Sequence, residues 1–195
     1  MATSVKPATT ASGVNFFSGS SGSKTFEGGG PNLTVSDNSY FRGIYGGAGT
    51  NTFSFRAGGF EFAIPASATI DGFEFLLERK RGGGGAGSCT TNIVQIHDGT
   101  TTVGTNKETG SAMPTVDTNK IYGGPTDKWG LTYTPTDVNA ETFRVQISNT
   151  VVVSSGTVSI EFDYAQMTVY YTDVEGVKRR SVSGGITYFA GCAHC

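Results

Sequence analysis

The densest run of chemically able side chains is Cys192-Ala193-His194-Cys195, which supplies two thiols and an imidazole within four residues. With Cys89 as a fourth donor these could hold zinc, which takes thiolate and imidazole ligands in a tetrahedral set. A second paired-cysteine half is absent, so a disulfide or inert thiols stay open beside the metal reading. Loop residues Asp37, Asn38, Asp117 and Asn119 could offer oxygens to calcium, but without the spacing of an EF-hand. The glycine run at 82–88 lacks the lysine of a phosphate-binding loop and precedes a strand, not a helix. His97 and His194 stand in no nucleophile–base motif, and no G-x-S-x-G elbow exists. Glu74, Glu78, Glu161 and Asp163 alternate along strands, which solvated strand faces explain without a catalytic pair. The chain is therefore read as non-enzymatic, with no cofactor.

The elements that must carry these residues are strands. Among 195 residues there are 29 glycines and only 15% charged residues, a composition that disfavours long helices. Phe73, Phe75 and Leu77 alternate with Glu74, Leu76 and Glu78, the pattern of a half-solvated antiparallel strand. Residues 52–63 alternate likewise through Phe53, Phe55, Phe60 and Phe62, with a bend at Gly58-Gly59 and closure at Pro65. Residues 92–97 form a strand that turns at Asp98-Gly99, and residues 101–107 are its expected return. Residues 115–124 read as polar connecting chain, and residues 129–133 as extended. Thr134-Pro135-Thr136-Asp137 has the order of a helix start: a capping hydroxyl, proline at the first position and an acid in the first turn. Phe143, Val145 and Ile147 begin another strand. Over 158–171 the apolar residues change parity, from Val158, Ile160, Phe162 and Tyr164 to Met167, Val169 and Tyr171, which predicts a bulge.

About seven to nine such strands with one short helix make an all-β, antiparallel β-sandwich, jelly-roll-like, the expected fold. The domain occupies 36–172, between extended arms at 1–35 and 173–195. The N-terminal arm is expected to order on a neighbour, with Phe16, Phe17 and Phe26, together with Tyr188 and Phe189 of the other arm, as interface residues. Trp129 is expected in the core or at the sandwich end. With Tyr122 and Tyr133 it also offers an alternative role, glycan stacking. A net charge of −2 gives no basic field for nucleic acid. No run approaches the roughly 18 apolar residues of a membrane helix, and the opening Met1–Pro7 lacks a signal-peptide core, so cytoplasmic synthesis is expected.

An ordered series of motifs carries a resemblance. Ser36-Asp37-Asn38-Ser39-Tyr40, Phe60 through Gly72, Glu78-Arg79-Lys80, Asp127 through Asn139 and Thr168-Val169-Tyr170-Tyr171-Thr172 follow one another across 36–172. In this order the chain resembles a β-sandwich domain recurrent in tailed-bacteriophage virion proteins. The resemblance implies a virion structural protein, in capsid decoration or in the tail or baseplate, located in the virion. Its implied partners are other virion proteins and copies of itself, a trimer being the expected oligomer. The alternative is a carbohydrate-binding adhesion module for host-surface glycans.

Overall fold

The structure, a computed structural model, describes residues 1–13, 18–20 and 22–173. In these the chain is an all-β sandwich of two antiparallel sheets. Thirteen strands follow one another: β1 (Ala2–Pro7), β2 (Thr10–Gly13), β3 (Ser18–Gly19), β4 (Ser23–Glu27), β5 (Phe41–Gly46), β6 (Gly49–Gly58), β7 (Thr69–Gly82), β8 (Ala86–His97), β9 (Thr102–Val103), β10 (Ser111–Ala112), β11 (Thr118–Gly124), β12 (Arg144–Ser155) and β13 (Thr157–Thr172). The first sheet runs β11-β7-β13-β5-β4, with β1 also on β13. The second runs β10-β8-β12-β6-β2, with β3 on β6 and β9 on β8.

The core lies where the apolar alternation points. Phe73, Phe75 and Leu77 of β7 face Phe53 and Phe55 of β6 and Val145 and Ile147 of β12, all fully buried. Phe41, Phe53, Phe55 and Phe162 form one aromatic cluster, with centroid separations from 4.7 to 6.5 Å. The predicted bulge is in β13, between Phe162 and Tyr164. Before it Val158, Ile160 and Phe162 point inward; after it Ala165, Met167 and Val169 do. Asp163 is the extra residue, so Tyr164 turns to the other face, away from the one shared by Phe162.

The N-terminal segment is extended as expected, but it lies on the chain's own sheets instead of waiting for a neighbour. β1 pairs with the second half of β13, the chain crosses at the buried Ala8, and β2 pairs with β6. Ala8 N donates to Ala165 O and Thr9 N to Gly58 O, so adjacent residues tie the two sheets together. Gly30 packs under this crossing: a Cβ there would sit 2.4 Å from the Thr9 carbonyl oxygen. Phe26, expected at an interface, rests edge-on against Phe41 at 5.1 Å and is partly buried. Phe16, Phe17, Tyr188 and Phe189 lie outside the described residues, as does almost all of the C-terminal arm.

Other expectations shift in detail. β6 ends at Gly58, and Phe60 and Phe62 reach the core from irregular chain in which Glu61 adopts φ 50°. The return strand after Asp98-Gly99 shrinks to Thr102–Val103, the glycine loop shortens to residues 83–85 and carries the chain from β7 in the first sheet to β8 in the second, and β11 replaces the connecting chain expected at 115–124. Residues 129–133 form no strand, because Trp129 takes φ 53° in a turn. The helix α1 (Pro135–Asn139) starts as its sequence dictates. Thr134 and Asp137 cap each other reciprocally.

The side of the sandwich between its edge strands β10 and β11 is closed by a buried ion cluster. Arg79 of β7 faces Glu108 at 3.7 Å, and Glu108 accepts from Lys120, Ser111 and Tyr122 at 2.8, 2.8 and 3.0 Å. Burial pushes the Glu108 carboxyl up, but these donors and the Thr109 amide outweigh it and hold the group at about 2. The folded value lies below the unfolded one near 4.5, so the contribution is full above about pH 4.5 and is lost as pH falls toward 2. Glu108→Gln should cost about 3 kcal/mol in urea unfolding at pH 7, since it leaves Arg79 buried without its anion. The same variant should lose much of the acid dependence below pH 4.5. A loss under about 0.5 kcal/mol would contradict a cluster of this kind.

Candidate functional site

The two outer faces of the sandwich differ in how far their polar groups are already satisfied. Across the first sheet, charges alternate on neighbouring strands: Glu27, Arg42, Glu161, Lys80 and Asp117. Strand register places Glu27 opposite Arg42, Arg42 opposite Glu161, and Glu161 opposite Lys80. The successive separations are 2.5, 3.8, 3.7 and 2.9 Å. Lys80 also lies 3.9 Å over the Tyr40 ring and donates to its hydroxyl. Burial lowers the Lys80 ammonium, but Tyr40 and Asp117 outweigh that and raise it above its ordinary value. This row is occupied by its own counter-charges.

The calcium reading meets the same obstacle. Tyr40 Oη lies 2.8 Å from Asn38 Oδ1 and 2.9 Å from Asp117 Oδ2, so two of the four candidates do come together. The cation beside them is Lys80. Asp37 is turned onto the Ser39 amide, and Asn119 is exposed on β11. Cys89, the described member of the zinc reading, points into the core at 1% exposure, and burial pushes its thiol up to about 12. A buried neutral thiol is a poor ligand. Cys192, His194 and Cys195 lie outside the described residues.

Of the three rings offered for glycan stacking, Trp129 and Tyr122 are withdrawn from solvent and Tyr133 is half-buried. Trp129 is fully buried, donates from Nε1 to the Phe73 carbonyl at 3.0 Å, and has its turn held by Asp127. Tyr122 is buried against Phe75 and gives its hydroxyl to Glu108. Tyr133 stands edge-on to Phe73 and Phe143, at 5.7 and 5.8 Å. These rings build the core and its rim, because each meets other aromatic residues or a buried acceptor before it meets solvent.

The outer face of the second sheet is different. Its outward residues form rows of mostly neutral polar side chains, with Arg56 as a cation and Ile93 as an apolar member: Gln95–Gln146–Arg56, Ile93–Ser148–Ser54 and Thr90–Thr150–Thr52, from β8 across β12 to β6. Arg56 Nε donates to Gln146 Oε1 at 3.1 Å, and the Ser54 and Ser148 hydroxyls meet at 2.7 Å. A groove of about 340 Å³ crosses this face, lined by the first two of these rows without Gln95, by His97 and by the Thr100–Thr102 turn. That volume falls within the roughly 300–1,000 Å³ of small-molecule sites.

His97 is the key group of the groove. It is 1% exposed, and its Nδ1 accepts from the Gly99 amide at 3.0 Å. The neutral ring then carries its proton on Nε2, and Nε2 is buried without a partner. A buried donor left unmade costs about 1–3 kcal/mol. Arg144 stands opposite His97 on the same face and donates to Ser12 Oγ at 2.8 Å. A second cavity of about 260 Å³ lies at the α1 end, floored by Phe60, Val138 and Phe143 and rimmed by Glu61, Glu141 and Arg144.

Sequence reasoning placed His97 at a strand end and passed over Arg56, Ser54, Gln146 and Ser148. The available signal was their parity, since they are the polar alternates of Phe53, Phe55, Val145 and Ile147. What parity omits is that β12 lies between β6 and β8, and that pairing gathers the alternates into one patch.

No family model matches the chain, and no curated protein does. Among solved structures it is similar to TmCBM61 in complex with β-1,4-galactotriose, at 10% identity over 80% of this chain and 86% of that one, with a TM-score of 0.37. It is also similar to a structure described as "CBM4 structure and function", at 10% identity over 84% and 92%, with a TM-score of 0.35. The first of these proteins was solved with a galactan trisaccharide. Likenesses this distant carry no argument about the ligand of this chain.

Burial and then the Arg56 charge press His97 below its ordinary value. As pH falls, the unfolded chain therefore takes up this proton first, and stability declines below about pH 6.5 but not above it. Urea unfolding between pH 7.5 and 5 should show that decline, and His97→Gln should flatten it. An unchanged slope in the variant would contradict the buried, neutral placement.

Proposed function

We propose that this chain is a non-catalytic recognition module that holds a glycan in the groove across the outer face of its second sheet. The observation that carries this reading is the groove itself, which gathers Gln146, Ser54, Ser148 and the Thr100–Thr102 hydroxyls around Arg56 and beside the buried His97. Sugar hydroxyls both donate and accept, as do the serine, threonine and glutamine side chains on this face. Ile93 adds a small apolar contact for a sugar ring. The first sheet offers no equivalent, because its charges answer one another.

A second reading is favoured by the ordered motifs across 36–172: a virion structural protein, in capsid decoration or in the tail or baseplate, assembling with other virion proteins and copies of itself. The aromatic pairs Phe16-Phe17 and Tyr188-Phe189 would then carry the contacts. The two readings are compatible in a particle that displays a glycan-binding face.

Affinity electrophoresis of the full chain through gels containing a panel of plant, bacterial and animal polysaccharides tests the glycan reading. At least one polysaccharide should retard the protein. Gln146→Ala and Ile93→Ala, shown folded by circular dichroism, should each weaken that retardation about tenfold through the loss of one hydrogen bond or one apolar contact. Failure of every polysaccharide, or retardation unaffected by both variants, would overturn the assignment of this face.

A further inference from the structure

The groove is neutral in most of its lining but not electrically balanced. Arg56 projects into it from β6 and His97 from β8, and none of its lining residues is a carboxylate. Arg144 lies on the same face, one diagonal step from Arg56 through Gln146 and directly opposite His97. Among the described residues, neither arginine has a carboxylate within ion-pair distance. Arg56 has Gln146 as its side-chain partner, and Arg144 has Ser12. The nearest acid in sequence, Asp98, spends its carboxylate on the Thr100 and Thr101 amides of its own turn, at 2.8 and 2.9 Å. The Arg56 guanidinium therefore stands in the groove with its charge unanswered, beside the buried imidazole of His97 and one step from Arg144. On the opposite sheet the comparable cations, Arg42 and Lys80, are both paired.

Like charges held together without an anion are an unfavourable arrangement in the free protein. Burial and Arg144 both press the Arg56 guanidinium below its ordinary value. An anion in the groove would relieve this repulsion. The planar guanidinium fork matches a planar carboxylate with two parallel hydrogen bonds, and a neutral hydroxyl can take only one.

We infer that the groove selects an acidic glycan, one whose sugar rings carry a carboxylate that sits against Arg56 and His97 while the ring hydroxyls meet Gln146, Ser54 and Ser148. This rests on the glycan reading above and narrows it to a ligand class. Arg144 supports the site as a positioning charge, since it lies beside the groove without lining it.

The test compares a polyuronate with its fully methyl-esterified form, two polymers with the same backbone that differ in charge. Binding to the full chain is measured by isothermal titration calorimetry. The polyuronate should bind at least about tenfold more tightly, and that preference should shrink as salt rises from 20 to 500 mM, because exposed charge pairs are screened. Arg56→Gln should collapse the preference to under about threefold. Arg56→Lys, which keeps the charge but not the fork, should retain the salt dependence with a reduced preference. Equal affinity for the two polymers would overturn the acidic preference and leave the glycan reading standing. Binding of neither, with no retardation by any polysaccharide in the gel panel, would overturn both. An acidic preference that survives Arg56→Gln would overturn the assignment to this groove.

Discussion

Everything proposed for this chain depends on the burial of one face of three strands. β6, β12 and β8 turn Phe53, Phe55, Val145, Ile147, Val94 and Ile96 inward, and each is fully removed from solvent. A one-residue slip in any pairing would exchange these for Ser54, Arg56, Gln146 or Gln95, placing polar groups in an aromatic core. The inner face thus holds the outer one in register. The groove needs no support of its own, because its polar rows are the obligatory complement of the core.

The same logic explains how much could be read in advance. Period-two alternation disclosed β7, β12 and both halves of β13, and the change of parity within β13 disclosed its bulge. The helix start at Thr134 was legible because capping is local chemistry: four residues contain both partners. Less legible were β1, β2 and β11, whose sequences are mostly small or polar. Edge strands gain much of their stability from main-chain pairing and need few apolar residues, so composition made them look like arm and loop. Trp129 was placed correctly in or near the core but assigned to extended chain. Its left-handed backbone depends on Asp127 capturing its amide and on Gly123, where a Cβ would sit 2.4 Å from the indole nitrogen.

The motifs behind the phage-protein resemblance turn out to touch one another. Asn139 brackets Ile64, accepting from its amide and donating to its carbonyl, both at 2.9 Å. Tyr40 joins Lys80, and the Asp127 carbonyl receives the amide of Phe73, the residue that follows the Phe60–Gly72 stretch. These residues fasten loops to strands, which accounts for their order and spacing without a ligand. The groove residues Ser54, Arg56, Ile93, His97 and Gln146 fall outside every one of those motifs. A scaffold defined by one set of residues and a face defined by another is the division expected when function is grafted on a common fold. Trp129 and Tyr133, two of the rings offered for stacking, belong to the first set.

The central claim is that the outer face of the second sheet is where a ligand sits. Backbone amide shifts in an isotope-labelled sample, followed by NMR during titration with an acidic oligosaccharide, test this most directly. The account predicts changes confined to β6, β8, β12 and the Thr100–Thr102 turn, with the His97 ring Nε2 signal moving most. Changes centred on the α1 end cavity or on the charged row of the first sheet would contradict it.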